Sequence, residues 1–108
     1  MIVHGKDCRP QTLENGMVRI VKGYLDDLMV VEMHFQAGME GAPHSHPHRQ
    51  AGYVIKGSFE GVVNGEKAVL KAGDCYYTRA NEVHGLKAME DGSVLLDIFT
   101  PKRDDFIN

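Results

Sequence analysis

Apolar and polar residues alternate with a period of two along most of this chain. In an extended segment over residues 28–36, Met29, Val31, Met33 and Phe35 share one face, and Val30, Glu32 and His34 share the other. Residues 17–22, 50–56, 58–64, 66–70, Cys75–Thr78, 83–88 and Ser93–Thr100 also read as short strands. Turn formers separate them. Asn64-Gly65 is the strongest hairpin signal, because both residues accept positive φ. Residues 23–27 and Ala72-Gly73-Asp74 are predicted turns, and the Gly-rich stretch 37–43 is a predicted loop. Residues 1–16 carry turn signals at Arg9-Pro10 and Asn15-Gly16, which predicts an irregular arm with one edge strand. No segment keeps a helical period for three turns. About eight or nine strands at intervals of roughly ten residues predict an all-β sandwich or small barrel.

Composition narrows the function classes. A chain of 108 residues that is 43% hydrophobic and 25% charged is too apolar for a disordered tail and too charged for a membrane protein. It is one domain, or half of a dimer. A domain of this size buries only about two thirds of its extended-chain surface, so a second subunit would help. The formal charge is −3, and the longest charged run, Lys102-Arg103-Asp104-Asp105, is mixed in sign. With no basic stripe, nucleic acid is not an expected partner. Cys8 and Cys75 form no Cys-x-x-Cys pair and are expected to be two reduced thiols rather than a disulfide. The N-terminus has no signal-like apolar region, and no apolar run approaches the roughly 20 residues that cross a bilayer. The expected location is the cytoplasm, away from membranes.

The histidines change the picture. Three of six fall in Pro43-His44-Ser45-His46-Pro47-His48-Arg49-Gln50. Residues i and i+2 of an extended segment point to the same side, so His44 and His46 can present two imidazoles to one point. Gln50 enters the following strand and offers a carbonyl oxygen. His84 begins a later strand that can return to the same point. Neutral imidazole ligates divalent transition metals. The competing reading is a solvated His-rich loop, with His46 capping a turn.

These residues resemble a small single-domain cupin. The family's first motif, G-x5-H-x-H-x3-4-E-x6-G, is met by Gly38, His44, His46, Gln50 and Gly57, with Gln in place of Glu. The second, G-x5-P-x-G-x2-H-x3-N, is met by Gly73 and His84, with Arg79, Asn81 and Ala88 as departures. The resemblance covers about residues 28–100. It implies a double-stranded β-helix, or jelly roll, over a single domain of residues 1–108. It also implies one divalent metal ion held by His44, His46, Gln50 and His84. Gln at position 50 leaves such a centre with a net charge of about +2 where Glu would leave +1. That favours an anionic substrate and removes one candidate base.

Two readings of the last strand stay open. Either Val94, Leu96 and Ile98 form the core and Leu95, Asp97 and Phe99 face solvent, or the strand lines the metal cavity and buries Asp97. Arg103, beyond Pro101, either contacts a carboxylate ligand at the cavity mouth or pairs on the surface with Asp104 or Asp105. The tail Asp97-Ile98-Phe99-Thr100-Pro101-Lys102-Arg103 is similar to the D-x-F-x-P-x-R tail of the small cupins of pectin and alginate breakdown. That resemblance implies conversion of 4,5-unsaturated monouronates to linear 5-keto-4-deoxyuronate. Asp97 would move a proton, Arg103 would hold the carboxylate and Phe99 would pack on the sugar. Nickel, zinc, manganese or iron would serve, since no redox step is needed. A cupin dioxygenase and a non-catalytic sugar- or effector-binding cupin are the alternatives. His48 is placed either behind the ligands or at the rim. Tyr53, Tyr76 and Tyr77 are read as core or interface residues, and His34 either as a strand residue with a local hydrogen bond or as one facing the cavity. A homodimer is expected, with residues 1–22 in its interface.

Overall fold

Two antiparallel sheets face each other in the computed structural model, which describes residues 1–107. The strands are β1 Gln11–Thr12, β2 Val18–Leu25, β3 Leu28–Phe35, β4 Glu40–His44, β5 Arg49–Lys56, β6 Ser58–Val63, β7 Glu66–Lys71, β8 Cys75–Thr78, β9 His84–Ala88 and β10 Ser93–Thr100. Six of them order as β1-β2-β3-β10-β5-β8, and four as β4-β9-β6-β7. The strand spacing predicted an all-β sandwich or small barrel and the cupin resemblance implied a jelly roll, and the two facing sheets meet both expectations. The alternation in β3 does what its pattern dictates: Met29, Val31, Met33 and Phe35 are buried between the sheets. Asn64 and Gly65 both take positive φ in the β6–β7 hairpin, at 47° and 83°.

Two boundaries differ from the predicted ones. Residues 37–43 were expected to be loop, yet Glu40–His44 pairs with β9. Their pattern has no alternation because β4 is an edge strand held by backbone bonds, not by an apolar face. Pro43 is tolerated on such an edge, and the register shifts between Gly41 and His44. Residues 23–27 were expected to turn, but β2 runs on to Leu25 through an irregularity between Val21 and Gly23. The bulge absorbs the glycine, and Asp26 and Asp27 make the turn.

Strand β10 pairs with both β3 and β5 and is central in its sheet. Leu95, Asp97 and Phe99 face inward at 2%, 7% and 2% exposure. The reading that sends this face to solvent is overturned, because a central strand beneath a second sheet has one buried face and Asp97 is on it. Phe59 of β6 is fully buried and meets Phe35 edge-on, with ring centroids 5.0 Å apart. Phe59→Ala is expected to cost about 3–5 kcal/mol of folding stability. A chemical-denaturation midpoint that does not move would contradict this account of the core.

Candidate metal centre and pocket

His44 ends β4 and His84 begins β9, and the two are register partners across the strands. Neighbouring residues at one register point project to the same face. Their rings lie 4.6 Å apart between centroids, and His46, on the connection into β5, closes the group at 4.8 Å from His84 and 5.6 Å from His44. Their candidate ligand atoms all lie within 4.8 Å of one another. Two nitrogens about 2.1 Å from one ion stand at most about 4.2 Å apart, so small side-chain adjustments bring all three to one ion.

The backbone selects the ligand atoms. A carbonyl oxygen only accepts, so His44 Nδ1–H donates to the Ala42 carbonyl at 2.8 Å and His84 Nδ1–H to the Glu82 carbonyl at 2.9 Å. That leaves the Nε2 lone pair of each ring free, the arrangement by which outer hydrogen bonds orient metal-binding imidazoles. His84 Nε2 is buried with no hydrogen-bond partner among the described residues. Burial, assisted by the charge of Arg103, pushes His46 down to about 4, so its ring is neutral at pH 7. Gln50 Oε1 stands 2.9 Å from His46 Nε2. Two ligands about 2.1 Å from one ion and at right angles would be about 3.0 Å apart. The donor set therefore fits a divalent transition-metal ion on its own chemistry.

The other end of Gln50 reaches Asp97. Gln50 Nε2 donates to Asp97 Oδ1 at 2.7 Å and to the Tyr76 hydroxyl at 2.9 Å, and that hydroxyl donates to Asp97 Oδ1 at 3.3 Å. Tyr76 sits on β8 and Asp97 on β10, with β5 between them. Gly52 of β5 is the register partner of both. A Cβ at Gly52 would collide with the Tyr76 ring. The missing side chain is what lets the phenol lie across β5 to reach the carboxylate. Burial raises Asp97 from 3.8 to about 7, against the lowering effect of the Gln50 and Tyr76 hydrogen bonds and of Arg103. Burial, then the neighbouring carboxylate, pushes Tyr76 well above its usual value.

A cavity of about 220 Å³ joins these groups, with His44, Gln50, Tyr76, His84, Asp97, Phe99 and Arg103 in its wall. At roughly 30 Å³ per water, it has the volume of about seven water molecules, room for one small molecule. The chain past Pro101 returns over the mouth, and Phe106 packs edge-on against Phe99, with centroids 5.7 Å apart. Arg103 makes the surface pair with Asp105 and also lies in the pocket wall. Its Nε and Nη2 donate to Asp105 at 3.0 and 2.9 Å, while the guanidinium stacks on Phe106 at 4.2 Å and lines the pocket. A larger open concavity of about 610 Å³ lies over the face of the four-stranded sheet that carries Glu60, Lys67 and Lys87. It holds none of the histidines, and Pro43, Val62, Val69 and Leu86 share its wall with those charged residues.

His48 lies half-buried beside His46, with centroids 5.4 Å apart, rather than in the ligand group. His34 makes its local bond, to Glu32 at 2.7 Å. Cys8 and Cys75 are free thiols. Tyr76, read as core or interface, is in the core at 8% exposure, and its hydroxyl also reaches the pocket, a role the sequence did not suggest. Neither its inward direction nor its register opposite Gly52 was legible, because each face of Cys75–Thr78 carries one tyrosine and one small residue. Arg19 was missed as well. It alternates in phase with Met17 and Val21, a charged residue on an inward face, and its guanidinium stacks on Phe106 at 4.0 Å.

No helix among the described residues is long and apolar enough to cross a membrane. The cupin domain family matches residues 31–99. The pectin degradation protein KdgF of Dickeya dadantii (strain 3937) is 49% identical over 98 residues, 90% of this chain and 89% of that protein. The solved structure of KdgF from Halomonas sp. superposes with a TM-score of 0.93 at 36% identity, covering 98% of this chain and 97% of that one. An RmlC-like cupin from Shewanella frigidimarina NCIMB 400 superposes at 0.90 with 35% identity, covering 95% and 92%.

Proposed function

The chain belongs to the cupin domain family, and on that premise we propose that it linearises 4,5-unsaturated monouronates to 5-keto-4-deoxyuronate in pectin and alginate breakdown. One observation carries this reading. The wall of one pocket the size of a small molecule holds His44 and His84 of the three-histidine cluster, the buried carboxylic acid of Asp97 and the Arg103 guanidinium. The similarity to a pectin degradation protein over nine tenths of the chain points the same way.

The reaction is an isomerisation. The substrate has a C4=C5 double bond, a ring oxygen on C5, a hydroxyl on C1 and a carboxylate at C6. The C1 hydroxyl gives up its proton, the bond from C1 to the ring oxygen breaks, and C1 becomes an aldehyde. The ring oxygen becomes the C5 ketone, and the C4=C5 electron pair takes up a proton at C4. One proton moves from oxygen to carbon, and no electron or oxygen atom is exchanged. A divalent ion held by His44, His46, Gln50 and His84 would supply positive charge and open positions for substrate oxygens. Nickel, zinc, manganese and iron all meet that need. Asp97, raised to about 7 by burial, is poised both to accept and to return the proton near neutral pH. Arg103 pairs with the C6 carboxylate as a fork-shaped donor, exchanging with Asp105 for it. Phe99, buried behind His46 with centroids 5.8 Å apart, packs on the sugar and excludes water. The active form in this proposal is a cytoplasmic homodimer, with residues 1–22 in its interface.

The test uses lyase-generated unsaturated monouronate. The metal-loaded protein is expected to speed the loss of enol absorbance without consuming oxygen, and chelation is expected to abolish the effect. Oxygen uptake matching turnover would transfer the site to dioxygenase chemistry. No acceleration on either pectin- or alginate-derived monomer would remove the uronate reading.

A further inference from the structure

In the hydrogen-bond triangle behind the pocket, two donors converge on one oxygen of Asp97. Asp97 at Oδ1 can only accept from two donors that point at it. Both amide protons of Gln50 are used, one on Asp97 Oδ1 and one on the Tyr76 oxygen, and the phenol proton goes to Oδ1. The Gln50 carbonyl is left facing His46 at 2.9 Å. Asp97 Oδ2 has no hydrogen-bond partner among the described residues, and Asp97 lines the cavity. We infer that Gln50 and Tyr76 are positioning residues that pin Asp97 by Oδ1 alone and so commit Oδ2 to the proton transfer. This deepens the uronate reading and rests on it.

The inference explains why position 50 needs an amide. Gln has an acceptor end for the ligand cluster and a donor end for Asp97. Glu offers a comparable oxygen to a metal but has no N–H to donate. With Glu at 50, two carboxyl groups would face each other at the 2.7 Å contact. Like charges that close share a proton between them. The proton would then sit between residues 50 and 97, on the side of Asp97 turned away from the substrate. Tyr76 supplies the second donor, and it reaches Oδ1 only because Gly52 leaves the space above β5 open.

Two substitutions separate this from a structural role. Tyr76→Phe keeps the ring in its gap and removes one donor. It is expected to lower kcat by about 10- to 100-fold, the loss from one hydrogen bond to a charged group. KM and metal stoichiometry should change little. Gln50→Glu is expected to bind zinc at least as tightly, in competition with a chromophoric chelator, while kcat falls by about 100-fold or more. The carboxyl infrared band of Asp97, assigned by its absence in Asp97→Asn, should shift in both variants with no substrate present. Damage to the fold alone would lower metal content and stability together and would not split kcat from KM. Gln50→Glu with metal and near-normal kcat overturns the inference, as does Tyr76→Phe with both kcat and the Asp97 band unchanged. Should Gln50→Glu not fold, Tyr76→Phe decides alone. If the wild-type protein turns over no uronate, the function fails, and the infrared band still reports whether Asp97 is held as inferred.

Discussion

Asp97→Asn is expected to lower kcat on unsaturated monouronate by about 10²- to 10⁴-fold, the range for loss of a general acid–base group. Metal content should be unchanged and folding stability undiminished. The two side chains are nearly the same shape. The amide oxygen of Asn can still accept from Gln50 Nε2 and the Tyr76 hydroxyl, which now reach Asp97 at 2.7 and 3.3 Å. Asn would lack only an atom that takes up a proton and gives it back. Parallel measurement of kcat, metal stoichiometry and unfolding midpoint checks all three parts. Full activity in the variant would remove Asp97 from the mechanism.

The same substitution has a pH signature in metal-stripped protein. Burial raises Asp97 from 3.8 to about 7, so the folded chain holds this proton more tightly than the unfolded chain. The stability it contributes is fully present below about 4 and is lost as the pH rises to about 7. Above that, folded and unfolded chains are both deprotonated, and the buried charge is carried at full cost. Wild-type stability relative to Asp97→Asn should therefore fall between about pH 4 and 7 and then level off. A difference that stays flat across that window would mean that Asp97 titrates as an ordinary exposed carboxylate.

Period-two alternation made part of this fold legible: the predicted apolar face of β3, Met29, Val31, Met33 and Phe35, is the face packed in the core. Strand β4 was illegible for the opposite reason. Glu40–His44 has no apolar face, and its strand character comes from backbone bonds to β9 that leave no trace in residue types. Spacing singled out His44, His46, Gln50 and His84, which the fold brings together near strand ends. It could not decide which face of Ser93–Thr100 is inward: both faces carry apolar residues, and only pairing with β3 and β5 beneath the other sheet settles it. Tyr76 and Gly52 lie 24 residues apart and matter only as register partners. A relation between two strands is invisible to any pattern along one of them.

The metal cluster carries the other large expectation: His46→Ala should lose bound metal and turnover together. His46 is buried at 8% exposure, against His44, His48, His84 and Phe99. Its removal deletes packing as well as a ligand, so a loss of metal through partial unfolding has to be separated from the loss of a donor. His44→Ala makes that separation. His44 is exposed, and its ring contributes its Nε2 to the cluster while its Nδ1 binds only the Ala42 carbonyl. Its truncation should leave the metal-free unfolding midpoint within about 0.5 kcal/mol of wild type, as for other surface substitutions. Wild-type protein should melt higher with metal than without, because an ion that binds only the folded state stabilises it by mass action. In both variants that metal-dependent rise should shrink or vanish at the same ion concentration, and turnover should fall with it. His44→Ala with a full complement of metal and an undiminished thermal shift would mean that these three rings do not hold the ion.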